Sequence, residues 1–67
     1  MFGAFQRAVA SAADFEEAVN AAAAVMGEDP RRLGLQAQMH SATSLLSPLE
    51  ALRELAVMLD ALAEREQ

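Results

Sequence analysis

The segment Ser47–Pro48–Leu49–Glu50 carries the signals that begin a helix, and a row of leucines follows it. Ser47 is a favourable N-cap residue, because its hydroxyl oxygen can accept the otherwise unpaired backbone N–H of Glu50. Pro48 fits the first helical position, where its missing N–H costs nothing, and Glu50 can reach back to the cap in a capping box. Four leucines then recur at intervals of three or four residues and so share one helix face: Leu52, Leu55, Leu59 and Leu62.

This row, called the leucine stripe below, needs an apolar surface to pack against. A chain of 67 residues buries only ~60% of the surface that its unfolded form exposes, so its own core is thin. We therefore predict that the leucine stripe binds a second copy or another helical protein, with Phe2 and Phe5 as a second anchor. The alternative, that the leucines form an internal core, stays open at this point.

Two further helices are predicted before the leucine stripe. The first covers residues 3–26, and Gly27 suits the left-handed position that closes a helix. Ser11 begins a second N-cap pattern within it, so this segment is either one long helix or two helices separated near Ser11. The second covers residues 30–46, with Asp29 as N-cap and Pro30 as first residue. Its apolar residues share one face, with Leu33 nearby: Leu35, Met39, Ala42 and Leu46.

These signals predict an all-α fold. The third helix covers residues 48–66. The turns between the helices are short, and short turns place consecutive helices side by side. We therefore expect one domain over residues 1–67, built as a helical hairpin or a small three-helix bundle with antiparallel neighbours.

The chain lacks the residue patterns of catalytic and metal-binding sites. His40 is the one histidine and there is no cysteine, whereas a metal site needs three or four converging ligands. The serines are explained as caps and small helix residues, and the three glycines form no phosphate-binding loop. We predict a protein that is not an enzyme and has no cofactor.

The net charge of −5 disfavours nucleic acid and anionic membranes as partners. The alternative function is a small helix-turn-helix-like nucleic-acid-binding regulator, because several polar residues of the second helix could contact bases: Arg31, Arg32, Gln36, Gln38 and His40. The longest apolar run, residues 21–26, is far shorter than the ~20 residues of a membrane span. We therefore predict no membrane span, no cleaved secretory signal and a cytoplasmic location.

The run from Asp29 to Met39 resembles the segment between the helices of type III secretion needle and inner-rod subunits. Those subunits carry an Asn/Asp-Pro turn, a helix start rich in leucine and glutamine, and about thirty further residues. The alanine-rich helix that contains Phe15 and Val19 is similar to their first helix. The chain is also similar in size and layout to the co-chaperones that keep needle subunits soluble. The resemblance implies a helical hairpin that acts as a secretion subunit or its co-chaperone, and secretion without a cleaved signal for the subunit.

Overall fold

The computed structural model describes residues 3–65 and has an all-α fold, as the sequence predicts. Four helices follow one another in this described part: α1 (Ala4–Ala10), α2 (Phe15–Met26), α3 (Pro30–Ser44) and α4 (Pro48–Arg65). α1 packs against α2 and α4, and α3 packs against α2 and α4. None of the four described helices is both long enough and apolar enough to cross a bilayer.

The segment predicted as one helix or two is divided near Ser11. Ser11 is the C-cap of α1, and its backbone N–H donates to the Arg7 carbonyl at 3.2 Å. α2 begins four residues later, at Phe15, and Asp14 directly before it is the N-cap, whose Oδ1 accepts the backbone N–H of Glu17 at 2.9 Å. The predicted cap at Ser11 is therefore wrong, because the carboxylate of Asp14 caps α2. Residues 3–65 form four helices rather than two or three.

The predicted closing glycine of α2 and the predicted N-caps of α3 and α4 are confirmed. Gly27 adopts a left-handed conformation, with φ of 72°, and closes α2. Asp29 Oδ1 accepts the backbone N–H of Arg31 at 3.0 Å, with Pro30 as the first residue of α3. Ser47 Oγ accepts the backbone N–H of Glu50 at 3.2 Å. The Glu50 carboxylate, which we expected to reach back to this cap, instead accepts from Arg53 Nη1 at 2.7 Å.

The core contains many small side chains. Six of the eleven buried hydrophobic residues in the described part of the chain are alanines. Alanine faces allow helices to approach closely, but each buries little apolar area, so most of the bulk comes from five larger residues. These are Phe5, Val9, Val19, Leu33 and Leu52.

Candidate interaction surface

The apolar residues of α3 lie on two opposite sides of the helix. Leu33 and Ala37 are buried and form the side that faces the core. Leu35 and Met39 lie on the other side, with 60% and 62% of their surface exposed. Ala42 is also exposed and lies on the same side by helical spacing. We call Leu35, Met39 and Ala42 the α3 outer face.

Contacts with both neighbouring helices fix the rotation of α3 about its axis. His40 Nε2 lies 3.0 Å from Glu54 Oε1 on α4. On the α2 side, a Cβ added to Gly34 would lie 3.6 Å from Val19 Cγ1, so the Val19 side chain packs against the backbone of α3 at Gly34. The Ser41 hydroxyl donates to the carbonyl of Leu46, which ties the helix to the following turn. Because these contacts come from the Leu33 and Ala37 side, the outer face points away from the bundle.

Leu45, directly after α3, adds a second exposed apolar group. Its side chain is 93% exposed, and its backbone adopts φ of 58°, in the left-handed region. This conformation costs an L-residue roughly 1–2 kcal/mol, so glycine is the usual residue in such a helix-ending position. A leucine here is therefore unfavourable in the single chain both for its backbone and for its exposed side chain.

The leucine stripe lies mainly inside the single chain. Leu52 is fully buried, Leu55 and Leu59 are half-buried against the core, and Leu62 is 55% exposed. Phe5 belongs to the core as well, whereas Phe2 lies outside the described residues. Partner binding by these residues stays a prediction. A partner could reach Leu52 or Phe5 only if the fold opened, so Leu62 is the stripe residue that is best placed for such a contact.

The charges of α3 differ from those of the rest of the chain. The net charge is −5, with ten acidic residues, and none of the ten lies between residues 30 and 44. Two cationic residues, Arg31 and Arg32, lie in the first turn of the helix, and its last turn has no basic residue. Arg31 Nη2 lies 3.4 Å from Asp29 Oδ2, with both side chains largely exposed. The α3 outer face is thus apolar, with positive charge at one end and no negative charge along the helix.

The polar residues that could contact bases do not share one face of α3. His40 turns towards α4, where its ring lies between Glu54 and Ser44, whose Oγ is 3.3 Å from His40 Nδ1. Arg31, Arg32, Gln36 and Gln38 are exposed. Within residues 3–65, no group of three or more histidine, cysteine, aspartate or glutamate side chains is placed to hold a metal ion.

No family model, curated protein or solved structure matches this chain.

The α3 outer face was present in the sequence prediction, but its role was not. The spacing correctly placed Leu35, Met39 and Ala42 on one face. The fourth residue predicted there, Leu46, does not belong to it, because α3 ends at Ser44 rather than at residue 46 and Leu46 lies half-buried in the following turn. The sequence did not show whether that face packs inward or points to solvent, because Leu33 and Ala37 form a second apolar side on the same helix. The side that packs inward is the one whose residues contact Val19 and α4, and those contacts depend on tertiary structure.

Proposed function

We propose that this chain is a non-enzymatic protein–protein interaction module that binds a partner helix through the α3 outer face. The observation that supports this proposal is the exposure of Leu35 and Met39 on a helix whose opposite side is already buried in the core. The core needs neither residue, and exposed apolar side chains in a row are typical of surfaces that bind another helix.

The flexibility of methionine supports the same proposal. Met39 lies at the middle of the outer face, and a thioether side chain can adapt its shape to a partner surface. The neighbouring helix positions carry glutamines rather than charged residues, Gln36 and Gln38. A partner helix would therefore bury Leu35 and Met39 without also burying an unpaired charge.

The resemblance to type III secretion proteins suggests a narrower role. The tight turn that ends at Asp29 and Pro30 joins two packed helices, as expected for a needle-type subunit or its co-chaperone. α3 stops at Ser44 instead of continuing into α4. A compact bundle of short helices fits a co-chaperone better than a polymerising subunit, so we favour the co-chaperone within this family.

The helix-turn-helix alternative receives less support. A recognition helix presents polar side chains to base edges in the major groove. On α3, the corresponding outward positions are taken by Leu35 and Met39, and the only two cations lie at one end of the helix.

Site-specific photo-crosslinking in the source organism tests the proposed function. A photoreactive amino acid placed at Met39 should crosslink to a protein, whether that protein is a second copy or a different chain. The matched control places the same group at Ala24, which is exposed on α2. A crosslinked product at Met39 and none at Ala24 supports the proposal. Equal labelling at both positions, or none at Met39, contradicts it.

A further inference from the structure

We infer that the α3 outer face binds the same face of a second copy of this chain, with the two α3 helices antiparallel about a two-fold axis. The inference rests on the proposed function and names its partner. Leu35, Met39 and Ala42 of each copy would form the apolar centre of the interface, and Arg31 and Arg32 would lie at its two ends.

The distribution of charge selects this face for self-association. Each copy carries a net charge of −5, so most ways of joining two copies bring acidic residues together. α2 begins with Glu16 and Glu17, and α4 carries Glu50, Glu54 and Glu64. Like charges held close across an interface cost free energy. Neither α3 nor the short helix α1 contains an acidic residue, but Phe5 and Val9 of α1 are buried in the core. Pairing through α3 therefore uses exposed apolar residues and avoids the repulsion between acidic residues that pairing through α2 or α4 would add.

The position of the arginines selects the antiparallel arrangement. Arg31 and Arg32 lie at the N-terminus of α3, which is the unfavourable end of the helix dipole for a cation. Its C-terminal turn carries no basic residue, although a cation would be favourable there. In an antiparallel pair, the arginines of each copy lie beside the C-terminus of the α3 helix of the other copy. Each C-terminus thereby gains nearby positive charge, and the arginines gain a favourable interaction with the helix dipole of the second copy. A parallel pair would instead place all four arginines together.

A register centred between Gln38 and Met39 also accounts for the exposed leucine after the helix. It places Leu35 opposite Ala42 of the second copy, a large side chain against a small one, and brings the two Met39 side chains together near the axis. The same register places Arg32 opposite Leu45 of the second copy. The aliphatic part of an arginine side chain can cover an apolar neighbour while its guanidinium stays in water.

The size of the interface predicts a weak dimer. A helix of 15 residues is about 22 Å long, and one helix pair of that length buries less than the ~800 Å² per partner of a standard interface. We therefore expect a dissociation constant of about 1–100 μM, in rapid exchange with monomer.

Sedimentation equilibrium over a hundredfold concentration range tests self-association, with circular dichroism on the same samples. The wild-type chain should fit a monomer–dimer equilibrium, and the variant Leu35→Glu/Met39→Glu should be a folded monomer throughout. The matched control Val25→Glu/Val57→Glu makes the same charge change at two other exposed apolar residues and should dimerise like the wild type. A wild-type monomer at every concentration, or equal loss of the dimer in both variants, would overturn the inference.

The arginines provide a second pair of matched variants. Arg31→Gln/Arg32→Gln should weaken the dimer by about five- to tenfold, since each copy loses the cations beside the C-terminus of the other. Arg53→Gln/Arg65→Gln changes the net charge by the same amount from α4 and should change the dissociation constant by no more than about twofold. Equal effects of the two variants would mean that net charge alone acts, which would contradict the antiparallel arrangement.

Single-cysteine variants test the orientation directly, because the chain has no native cysteine. Under mild oxidation, Met39→Cys should form a disulfide-linked dimer with itself. Arg32→Cys should not link to itself, since the two residues lie about 20 Å apart along an antiparallel pair, but should link to Leu45→Cys in a mixture of the two chains. Self-linking of Arg32→Cys without this mixed product would overturn the proposed arrangement.

The proposed function and this inference can fail separately. If the purified chain stays monomeric while the group at Met39 crosslinks a different protein in the cell, the inference is overturned and the proposed function stands. If the chain stays monomeric and Met39 crosslinks nothing, both are overturned.

Discussion

The carboxylate of Asp60, near the end of α4, caps the N-terminus of α1 and accepts the backbone N–H of Phe5 at 3.0 Å. Its second oxygen accepts the backbone N–H of Gln6 at 3.1 Å. Asp60 is only 4% exposed, and a buried carboxylate is costly unless hydrogen bonds satisfy it. The helix that begins the described fold is therefore held by a residue 55 positions later in the chain.

Replacing Asp60 should weaken the attachment of α1. Asp60→Ala removes the cap and leaves two buried backbone N–H groups unpaired, so the free energy of unfolding should fall by about 1–3 kcal/mol. Urea unfolding followed by circular dichroism measures this loss. Glu64→Ala, one turn later on the exposed side of α4, is the control and should change stability by less than about 0.5 kcal/mol. Equal losses for the two variants would contradict the capping role.

The same carboxylate should make stability depend on pH. Burial raises the pKa of Asp60, but hydrogen bonds from Phe5 and Gln6 and the charge of Arg7 outweigh burial, and the pKa lies below its ordinary value of 3.8. Because the folded pKa is the lower one, the stabilisation is complete above the unfolded pKa and is lost as pH falls through the folded pKa. The free energy of unfolding of the wild type should therefore decrease below about pH 4, and its advantage over Asp60→Asn should shrink there. A constant advantage down to about pH 2 would contradict this account.

The sequence predicted those features that depend on residues no more than four positions apart. The caps at Asp29 and Ser47 and the closing glycine at position 27 are of this kind, because each satisfies backbone groups of its own helix. The cap of α1 was not predicted, since Asp60 and Phe5 meet only after the whole chain has folded. The sequence also did not predict that Leu35 and Met39 point to solvent, because this too depends on how α3 packs in the folded chain.

Gly34 offers a simple way to strengthen α3. An added Cβ would meet Val19 at 3.6 Å, an ordinary contact distance, so alanine fits without displacing its neighbour. Gly34→Ala should raise the free energy of unfolding by about 0.5–1 kcal/mol, because alanine favours the helix and restricts the unfolded chain. Gly27→Ala is the contrasting variant: φ at Gly27 is 72°, and the change should destabilise by about 1 kcal/mol. Thermal unfolding of both variants should therefore shift in opposite directions.

In the strained turn after α3, a change to glycine should stabilise the protein, whereas in a helix it should destabilise it. Leu45 has φ of 58°, so Leu45→Gly should remove the steric strain and stabilise the monomer by about 0.5–1 kcal/mol. Ser44→Gly, one residue earlier and still inside the helix, should destabilise by a similar amount. Chemical unfolding at a protein concentration that keeps the chain monomeric measures both. A loss of stability in Leu45→Gly would mean that the leucine side chain contributes to the fold despite its exposure.

The two ends of the leucine stripe should differ sharply in their effect on stability. Leu52 is fully buried among the packed helices, and Leu52→Ala should cost about 2–5 kcal/mol, because it removes a large part of a small, alanine-rich core. Leu62 is 55% exposed, so Leu62→Ala should cost no more than about 1 kcal/mol. Urea unfolding of the two variants gives both values. Near-equal costs would mean that the stripe acts as one surface, as expected if the leucines pack between chains and the single-chain core is incomplete without a partner.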